Sequence, residues 1–189
     1  EVPLQLQAEG IDNLICKRLG IPIPPAADLS KWKEIIESVK FPKGDITIGI
    51  VGKYVKHQDA YKSVFDALEH GAIHAGYSLK IKRIESDKIT TMDTFKDCDG
   101  VLVPGGFGER GWEGKLLSAR FCRENQLPFF GICLGMQALV TEFAQNVVCW
   151  PQANSTEIDP DTTHPVISLL SEQRDVKNYG GTMRLGAYK

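Results

Sequence analysis

Cys133 has the surroundings that most directly suggest chemistry, because it lies between two glycines where the hydropathy pattern changes. Residues 127–132 are almost all apolar, as in a short strand buried on both faces of a sheet. After Cys133, apolar residues recur at the spacing of one helix face: Met136, Leu139, Val140, Phe143 and Val147. The sequence therefore predicts a sharp strand-to-helix turn, whose tight backbone is allowed by Gly131 and Gly135.

A cysteine at such a turn presents its sulfur beyond the end of the strand, in the arrangement called a nucleophile elbow. The N-terminal end of a helix generally favours a thiolate, which is the reactive form of cysteine. We therefore predict that Cys133 is a nucleophile. The alternative is that Cys133 is a small buried hydrophobic residue, as most free cysteines are.

Two glycine-containing runs follow other predicted strands. In the run 104–108 (Pro-Gly-Gly-Phe-Gly), consecutive glycines free backbone N–H groups to point at a developing oxyanion; a plain flexible loop is the alternative. The run 52–54 (Gly-Lys-Tyr) invites comparison with a phosphate-binding loop. We reject that interpretation because the spacing Gly-x-x-x-x-Gly-Lys-Ser/Thr is absent.

A cysteine nucleophile needs a base, which is normally a histidine oriented by a carboxylate. His70 and His74 lie four residues apart on a predicted helix, but they do not form a His-Glu-x-x-His zinc motif, so we interpret them as surface or packing residues. His57 lies in a loop after the first strand, and His164 precedes a proline. None of these four histidines is a convincing base for Cys133.

The composition narrows the class of protein. With 189 residues, 42% hydrophobic and 24% charged, the chain is of ordinary size and balance for a globular domain, alone or with a piece of another. A formal net charge of −2 gives no electrostatic case for binding nucleic acid or an acidic membrane surface. The five cysteines share no Cys-x-x-Cys spacing, which argues against disulfides or a zinc site and favours a reducing cytoplasm.

The N-terminal residues 1–44 are predicted to connect two domains and to form no hydrophobic core of their own. Residues 1–20 are predicted to be one helix ending at Gly20, followed by a proline-rich extended linker over 21–25. A second helix follows, capped by Asp28 or Ser30. We expect residues 1–25 to be the C-terminal tail of a preceding domain, and residues 26–44 to be a connector.

From residue 45 onward, strands and helices alternate along the chain. This order predicts an α/β fold with a doubly wound, mostly parallel sheet and helices on both faces. Ligands in such sheets bind beyond the carboxyl ends of the strands, so the runs 52–54 and 104–107 should converge with Cys133. Toward the C-terminus, we predict an edge strand at 164–170 and a glycine-rich turn leading into a strand at 180–186.

Four runs together resemble the glutaminase domain of the CTP synthase family. They are Pro-Gly-Gly-Phe-Gly at 104–108, Gly-Ile-Cys-Leu-Gly-Met-Gln at 131–137, Asn-Ser-Thr-Glu at 154–157 and Gly-Gly-Thr-Met-Arg-Leu-Gly at 180–186. The Gly-x-Cys-x-Gly run alone resembles the wider class I glutamine amidotransferases. The resemblance covers essentially the whole chain. It implies that the domain whose C-terminal tail is residues 1–25 is a synthetase (amidoligase) domain.

This resemblance implies a flavodoxin-like fold and a two-part ligase of pyrimidine biosynthesis. L-Glutamine is hydrolysed through a thioester on Cys133, and the ammonia passes to the synthetase domain of the same polypeptide. That domain uses ATP and Mg²⁺ to aminate UTP to CTP, and GTP activates the full enzyme. The resemblance implies no cofactor and no metal in the glutaminase domain, a cytoplasmic location, and a homotetramer formed through the synthetase domain.

Individual roles follow from the resemblance only where the motifs match. Gly106 matches an oxyanion and glutamine contact, and Glu157 matches a residue that holds the amino-acid end of the substrate. The run after the nucleophile matches a glutamine-binding segment: Leu134, Gly135, Met136 and Gln137. Phe107 and Arg184 lie in motifs connected with GTP activation and with coupling between the two active sites.

The chain departs from the family pattern at its C-terminal end. In the family, the histidine and glutamate that complete the triad lie in a His-x-Glu motif downstream of Arg-Leu-Gly, together with an arginine that binds the substrate carboxylate. The sequence stops at Lys189, before these positions. We therefore expect residues 45–189 to be an amidotransferase domain truncated at its C-terminus, without its triad histidine and glutamate.

Two other functions remain open at this point. One is the amidotransferase subunit of another biosynthetic enzyme, against which the Asn-Ser-Thr-Glu run argues. The other is a non-catalytic binding or regulatory module that keeps the fold and has lost the triad. A glutamine-mimicking electrophile that labels Cys133 rapidly would favour either enzyme over the inert module.

Overall fold

The N-terminal part of the chain is helical and carries no core. The computed structural model describes residues 1–55 and 58–168, and it begins with three helices: α1 (Val2–Ala8), α2 (Ile11–Leu19) and α3 (Ser30–Lys40). The prediction of one helix over 1–20 is wrong, because Gly10 adopts a left-handed conformation with φ of 66° and divides it. Gly20 ends α2 as predicted, and residues 21–29 form an irregular linker. The predicted cap of the next helix is wrong, because Leu29 is the N-cap residue of α3, although Asp28 accepts a hydrogen bond from the Ser30 N–H at 2.9 Å.

A four-stranded parallel sheet forms the centre of the remaining part. Its strands are β1 (Asp45–Gly52), β2 (Ser78–Glu85), β3 (Gly100–Val103) and β4 (Phe129–Gly131), in the spatial order β2-β1-β3-β4. All three strand pairs are parallel. The predicted parallel α/β architecture is therefore confirmed.

The connections between these strands are helical, and they cover both faces of the sheet. The long helices are α4 (Lys62–Ala75), α5 (Trp112–Glu124) and α6 (Leu134–Asn146), with short 3₁₀ helices at Gln58–Tyr61, Ser86–Lys88 and Met92–Phe95. Side chains of successive strand residues point to opposite faces, so Ile50 packs in one core cluster and Val51 in another. The cluster around Val51 includes Phe121 of α5, and the cluster around Ile50 includes Phe65 of α4.

The packing around Cys133 differs from the sequence pattern in two places. The strand before it was expected to be buried on both faces, but β4 lies at the sheet edge in the described structure and Phe130 is 63% exposed. The predicted apolar stripe of α6 is also half-exposed, at Met136, Val140, Phe143 and Val147. The buried face of α6 instead carries mostly small side chains, including Gly135 and Ala138, because this helix approaches the sheet closely.

The segment after α6 forms a second, separate sheet. Strand β5 (Ala153–Ser155) pairs in parallel with β6 (His164–Ile167). The edge strand predicted at 164–170 thus exists over its first four residues, but its partner is β5 and not the central sheet. Residues 169–170 and the run 180–186 lie outside the described residues. No described helix is long and apolar enough to cross a lipid bilayer.

Candidate active site at the strand-to-helix elbow

Cys133 lies at the sharp turn that the sequence predicted, between β4 and the start of α6. Its backbone has φ of 53° and ψ of −112°, a left-handed conformation that is rare for a residue with a side chain, and its side chain is exposed. Both flanking glycines are required by close contacts. A β-carbon on Gly135 would lie 2.0 Å from the Val103 carbonyl oxygen, and one on Gly131 would lie 2.5 Å from the Gly135 carbonyl carbon.

In the described part of the chain, the elbow leaves the Leu134 N–H free beside the sulfur. The Cys133 carbonyl accepts hydrogen bonds from the N–H groups of Met136 and Gln137 at 3.0 and 3.1 Å, while the Gly135 N–H donates to Ile132. The Leu134 N–H is at the first position of α6 and has no acceptor among the described residues. An oxyanion formed at Cys133 would therefore find a donor here.

The glycine loop that follows β3 lies directly against this turn. A β-carbon on Gly105 would be 3.3 Å from the Cys133 β-carbon and 3.9 Å from its Sγ. The convergence predicted from the strand ends is therefore observed for the Gly-Gly loop and Cys133. Gly106, which was predicted to contact the oxyanion, is the next residue of the same loop.

Lys53 connects the run 52–54 to the glycine loop, as the convergence of strand ends predicted. Its Nζ donates hydrogen bonds to the carbonyl oxygens of Phe107 and Gly108, the latter at 2.8 Å. The Arg110 guanidinium in turn donates to the Lys53 carbonyl at 3.1 Å. Sequence reasoning rejected a phosphate-loop role for the run 52–54 and gave Lys53 no other. The available signal was its position at the carboxyl end of β1, next to the strand that carries the glycine loop.

A buried lysine that the sequence also did not suggest lies under the glycine loop. The Lys115 side chain on α5 is only 1% exposed, and its Nζ would be 4.0 Å from a β-carbon on Gly106. Burial is the main reason that the pKa of Lys115 is lowered to about 8, and the nearby Lys53 lowers it further, whereas Glu157 and Cys133 act in the opposite direction. Burial also lowers the pKa of Lys53.

The remaining predicted site residues are partly brought together. Glu157 accepts a hydrogen bond from the Gly108 N–H at 2.8 Å, which places its carboxylate at the glycine loop. The Gln137 Oε1 atom is buried and has no hydrogen-bond partner among the described residues. Phe107 is 69% exposed and Met136 is also exposed, while Arg184 lies outside the described residues.

No described histidine makes a contact that would make it a base for Cys133. His70 and His74 are exposed on α4, as predicted. The His164 ring stacks on Trp150, with the two ring centroids 5.2 Å apart, and its Nδ1 lies 3.0 Å from the Thr163 hydroxyl. His57 lies outside the described residues. Within residues 1–55 and 58–168, no group of three His, Cys, Asp or Glu side chains is placed to hold a metal ion.

Comparison with known protein families agrees with this geometry. The sequence model of the family described as "Glutamine amidotransferase class-I" matches residues 56–189. The chain belongs to the class I glutamine amidotransferases. The matched residues include the glycine loop, the Cys133 elbow and Glu157, so the family assignment covers every element of the candidate site except Lys53.

Curated amidotransferase relatives extend the similarity to the whole chain. The CTP synthase of Protochlamydia amoebophila (strain UWE25) is 62% identical over 193 residues, and that of Chlamydia felis (strain Fe/C-56) is 50% identical over 189 residues. Each alignment covers 100% of this chain and 35% of the relative, so the chain spans about a third of the length of these enzymes. The resemblance drawn from the four sequence runs is therefore confirmed.

A solved structure of the same kind supports the fold. The glutaminase domain of Trypanosoma brucei CTPS, with bound acivicin, superposes with a TM-score of 0.65 at 38% sequence identity. The superposition covers 69% of this chain and 52% of that chain. The parallel α/β architecture described above is therefore that of an amidotransferase glutaminase domain.

Proposed function

We propose that the chain is the glutaminase part of a CTP synthase, with Cys133 as the nucleophile that releases ammonia from L-glutamine. The observation that carries this proposal is the exposed sulfur at a left-handed strand-to-helix turn, next to the Gly105-Gly106 backbone. The backbone strain of this turn supports a functional role, because a buried structural cysteine would not require it. The acivicin bound to the Trypanosoma brucei domain, a glutamine analogue, supports the choice of substrate.

The chemistry consists of two acyl transfers. The Cys133 thiolate attacks the side-chain amide carbon of glutamine, and the resulting oxyanion accepts hydrogen bonds from the Gly106 and Leu134 N–H groups. Collapse of the intermediate breaks the C–N bond, so ammonia leaves with an added proton and a glutamyl thioester remains. Water then attacks the thioester and releases glutamate. We infer that the proton is moved by the histidine of the His-x-Glu motif, since no described histidine contacts Cys133.

The substrate would be held by groups around the glycine loop. The Glu157 carboxylate suits the positively charged amino group of glutamine, because opposite charges attract strongly in a partly enclosed site. The buried and unpartnered Gln137 Oε1 offers an acceptor for a substrate N–H, and burial without a partner would otherwise be costly. Gly135 and Met136 contribute backbone at the same turn.

We propose that the remaining steps of the reaction take place in a second domain. Ammonia would pass to a synthetase domain of the same polypeptide, where ATP and Mg²⁺ support the amination of UTP to CTP. GTP would activate the full enzyme, with Phe107 and Arg184 coupling the two sites. This proposal is supported by the similarity of the whole chain to about a third of the length of enzymes named CTP synthase. A homotetramer formed through the synthetase domain, a cytoplasmic location and the domain boundaries at residues 25 and 44 are parts of the same proposal.

The test replaces Cys133 in the full-length enzyme. Cys133→Ala should abolish CTP formation from glutamine while free ammonia still supports it. Cys149→Ala is the matched control, because Cys149 is also exposed and has a positive φ of 62°. Loss of the ammonia-dependent reaction together with the glutamine-dependent one would indicate a structural cysteine. Failure of acivicin to label Cys133 would favour a non-catalytic module with this fold.

A further inference from the structure

The peptide between Phe107 and Gly108 is held at both of its polar ends. Its carbonyl oxygen accepts a hydrogen bond from Lys53 Nζ, and its N–H donates to Glu157 Oε1 at 2.8 Å. Lys53 Nζ also bonds the Gly108 carbonyl at 2.8 Å. Since a peptide unit is planar, holding its oxygen and its N–H from two sides fixes the orientation of the whole plane.

The other end of the glycine loop is fixed by burial. Val103 at the end of β3 is fully buried, and Pro104 after it is buried with a φ set by its ring. Between this anchor and the held peptide lie only Gly105 and Gly106. Because glycine has the widest choice of backbone conformations, the direction of the Gly106 N–H depends on how firmly both anchors are held.

The backbone of Lys53 is also held by neighbouring contacts. Its carbonyl accepts the hydrogen bond from Arg110, whose guanidinium lies 5.1 Å from the centroid of the Tyr54 ring. Lys53 directly follows β1, and the nearby Val55 is 1% exposed. The Lys53 side chain therefore holds the loop after β3, and the Arg110 side chain in turn holds the backbone of Lys53.

We propose that Lys53 is a positioning residue for the oxyanion-binding Gly106 N–H, acting through the Phe107–Gly108 peptide. This inference rests on the proposed glutaminase function. Glu157 alone would not suffice, because its carboxylate is also the group that receives the amino end of the substrate. Lys53 binds no substrate group in the proposed hydrolysis. It can therefore hold the loop while the Glu157 carboxylate exchanges its hydrogen bond from the Gly108 N–H for one from the substrate.

The experiment uses the full-length enzyme without GTP, so that activation by the nucleotide does not enter the measurement. In Lys53→Met, which replaces the lysine by an unbranched side chain one atom shorter and removes the donor, kcat for glutamate release should fall about tenfold, less than the 100-fold typical of deleting an oxyanion donor itself. KM for glutamine should change by less than about threefold, since the substrate contacts remain. Lys53→Arg, which keeps the charge and the donors, should recover most of kcat.

Two further measurements separate positioning from damage to the fold or to the nucleophile. Alkylation of Cys133 by iodoacetamide needs no oxyanion donor, so its rate should be the same in wild type and Lys53→Met. Lys96→Met is the matched control on an exposed surface lysine paired with Asp93, and it should leave kcat unchanged. If Lys53→Met does not fold, Lys53→Ala, which also removes the donor, should show the same loss of kcat.

Three results would overturn the inference. The first is a kcat for Lys53→Met within a factor of about two of wild type. The second is an equal loss of kcat in the Met and Arg variants, which would indicate a structural role. The third is slower alkylation of Cys133 in Lys53→Met, which would place the effect on the sulfur. A wild-type enzyme whose Cys133→Ala variant still hydrolyses glutamine would instead refute the proposed function on which the inference rests.

Discussion

Gly135 controls how closely the start of α6 approaches the central sheet, and its replacement should separate Cys133 from the oxyanion loop. A β-carbon at this position would lie 2.0 Å from the Val103 carbonyl oxygen, 2.9 Å from its carbonyl carbon and 2.9 Å from its β-carbon. Real β-carbons essentially never come closer than 3.0 Å to another heavy atom. In Gly135→Ala, the first turn of α6 must therefore move away from β3 by about 1 Å.

That displacement acts directly on the proposed chemistry. Cys133 precedes α6, whereas Gly105 and Gly106 follow β3, so a shift between α6 and β3 changes the distance from the sulfur to the Gly106 N–H. A misplacement of about 1 Å typically costs roughly 100-fold in rate. We expect Gly135→Ala in the full-length enzyme to lower kcat for glutamate release by about that factor, and to leave ammonia-dependent CTP formation intact.

A second glycine provides the matched control. Gly71 lies in the interior of α4, and a β-carbon there would meet nothing within 4 Å. Gly71→Ala should keep glutaminase activity and stabilise the helix by up to about 1 kcal/mol. A Gly135→Ala enzyme that retained glutamate release within about threefold of wild type would refute the reasoning, because the elbow would then tolerate a wider approach of α6.

Two further predictions concern the glycine loop and the lysine beneath it. Gly106→Pro removes the proposed oxyanion N–H and should lower kcat about 100-fold, whereas Gly106→Ala keeps the N–H, places its β-carbon 4.0 Å from Lys115 Nζ, and should lose much less in the same glutamate-release assay. Lys115→Met should raise the free energy of unfolding at pH 7 by up to about 3 kcal/mol, because the pKa of the buried ammonium is about 8, compared with 10.5 for an unperturbed lysine. In wild type, the unfolded chain binds more protons than the folded one between these two values. Stability should therefore rise with pH across that window, and the advantage of Lys115→Met in urea unfolding should shrink from pH 8 toward pH 10.5. Equal unfolding midpoints for the two proteins at pH 7 would contradict this second prediction.

The features that sequence reasoning placed correctly are those set by local chemistry and by strand order. A change from a strand pattern to a helix pattern at Cys133, with a glycine on each side, specifies the elbow without knowledge of the tertiary contacts. The parallel order of strands then brings their carboxyl ends together, which is why the Gly-Gly loop was correctly placed beside Cys133. The elbow and the position of the loop both follow from the backbone, so neither prediction required the conformation of a long side chain.

The features that could not be predicted from the sequence depend on long-range packing. The apolar stripe of α6 is not its buried face, because Gly135 and Ala138 allow the helix to approach the sheet on another side, which helical periodicity cannot tell. Lys53 and Lys115 carry no motif, and a lysine is almost always predicted to be on the surface. Strand order placed the run 52–54 near Cys133, but the contact of Lys53 with the loop after β3 and the position of Lys115 under Gly106 follow only from the folded structure.

The charges around the elbow fit the direction in which charge develops during the proposed reaction. Three cations lie near the elbow, Lys53, Lys115 and Arg110, and Lys53 and Arg110 lower the pKa of Lys115 while the Glu157 carboxylate raises it. A cationic surrounding of this kind stabilises the oxyanion that forms at the substrate carbonyl, and burial strengthens the effect. With a pKa of about 8, Lys115 stays mostly charged at neutral pH even though its burial destabilises the fold. Such a cost is typical of groups that are retained for function, which favours an electrostatic contribution of Lys115 to the site over a purely structural one.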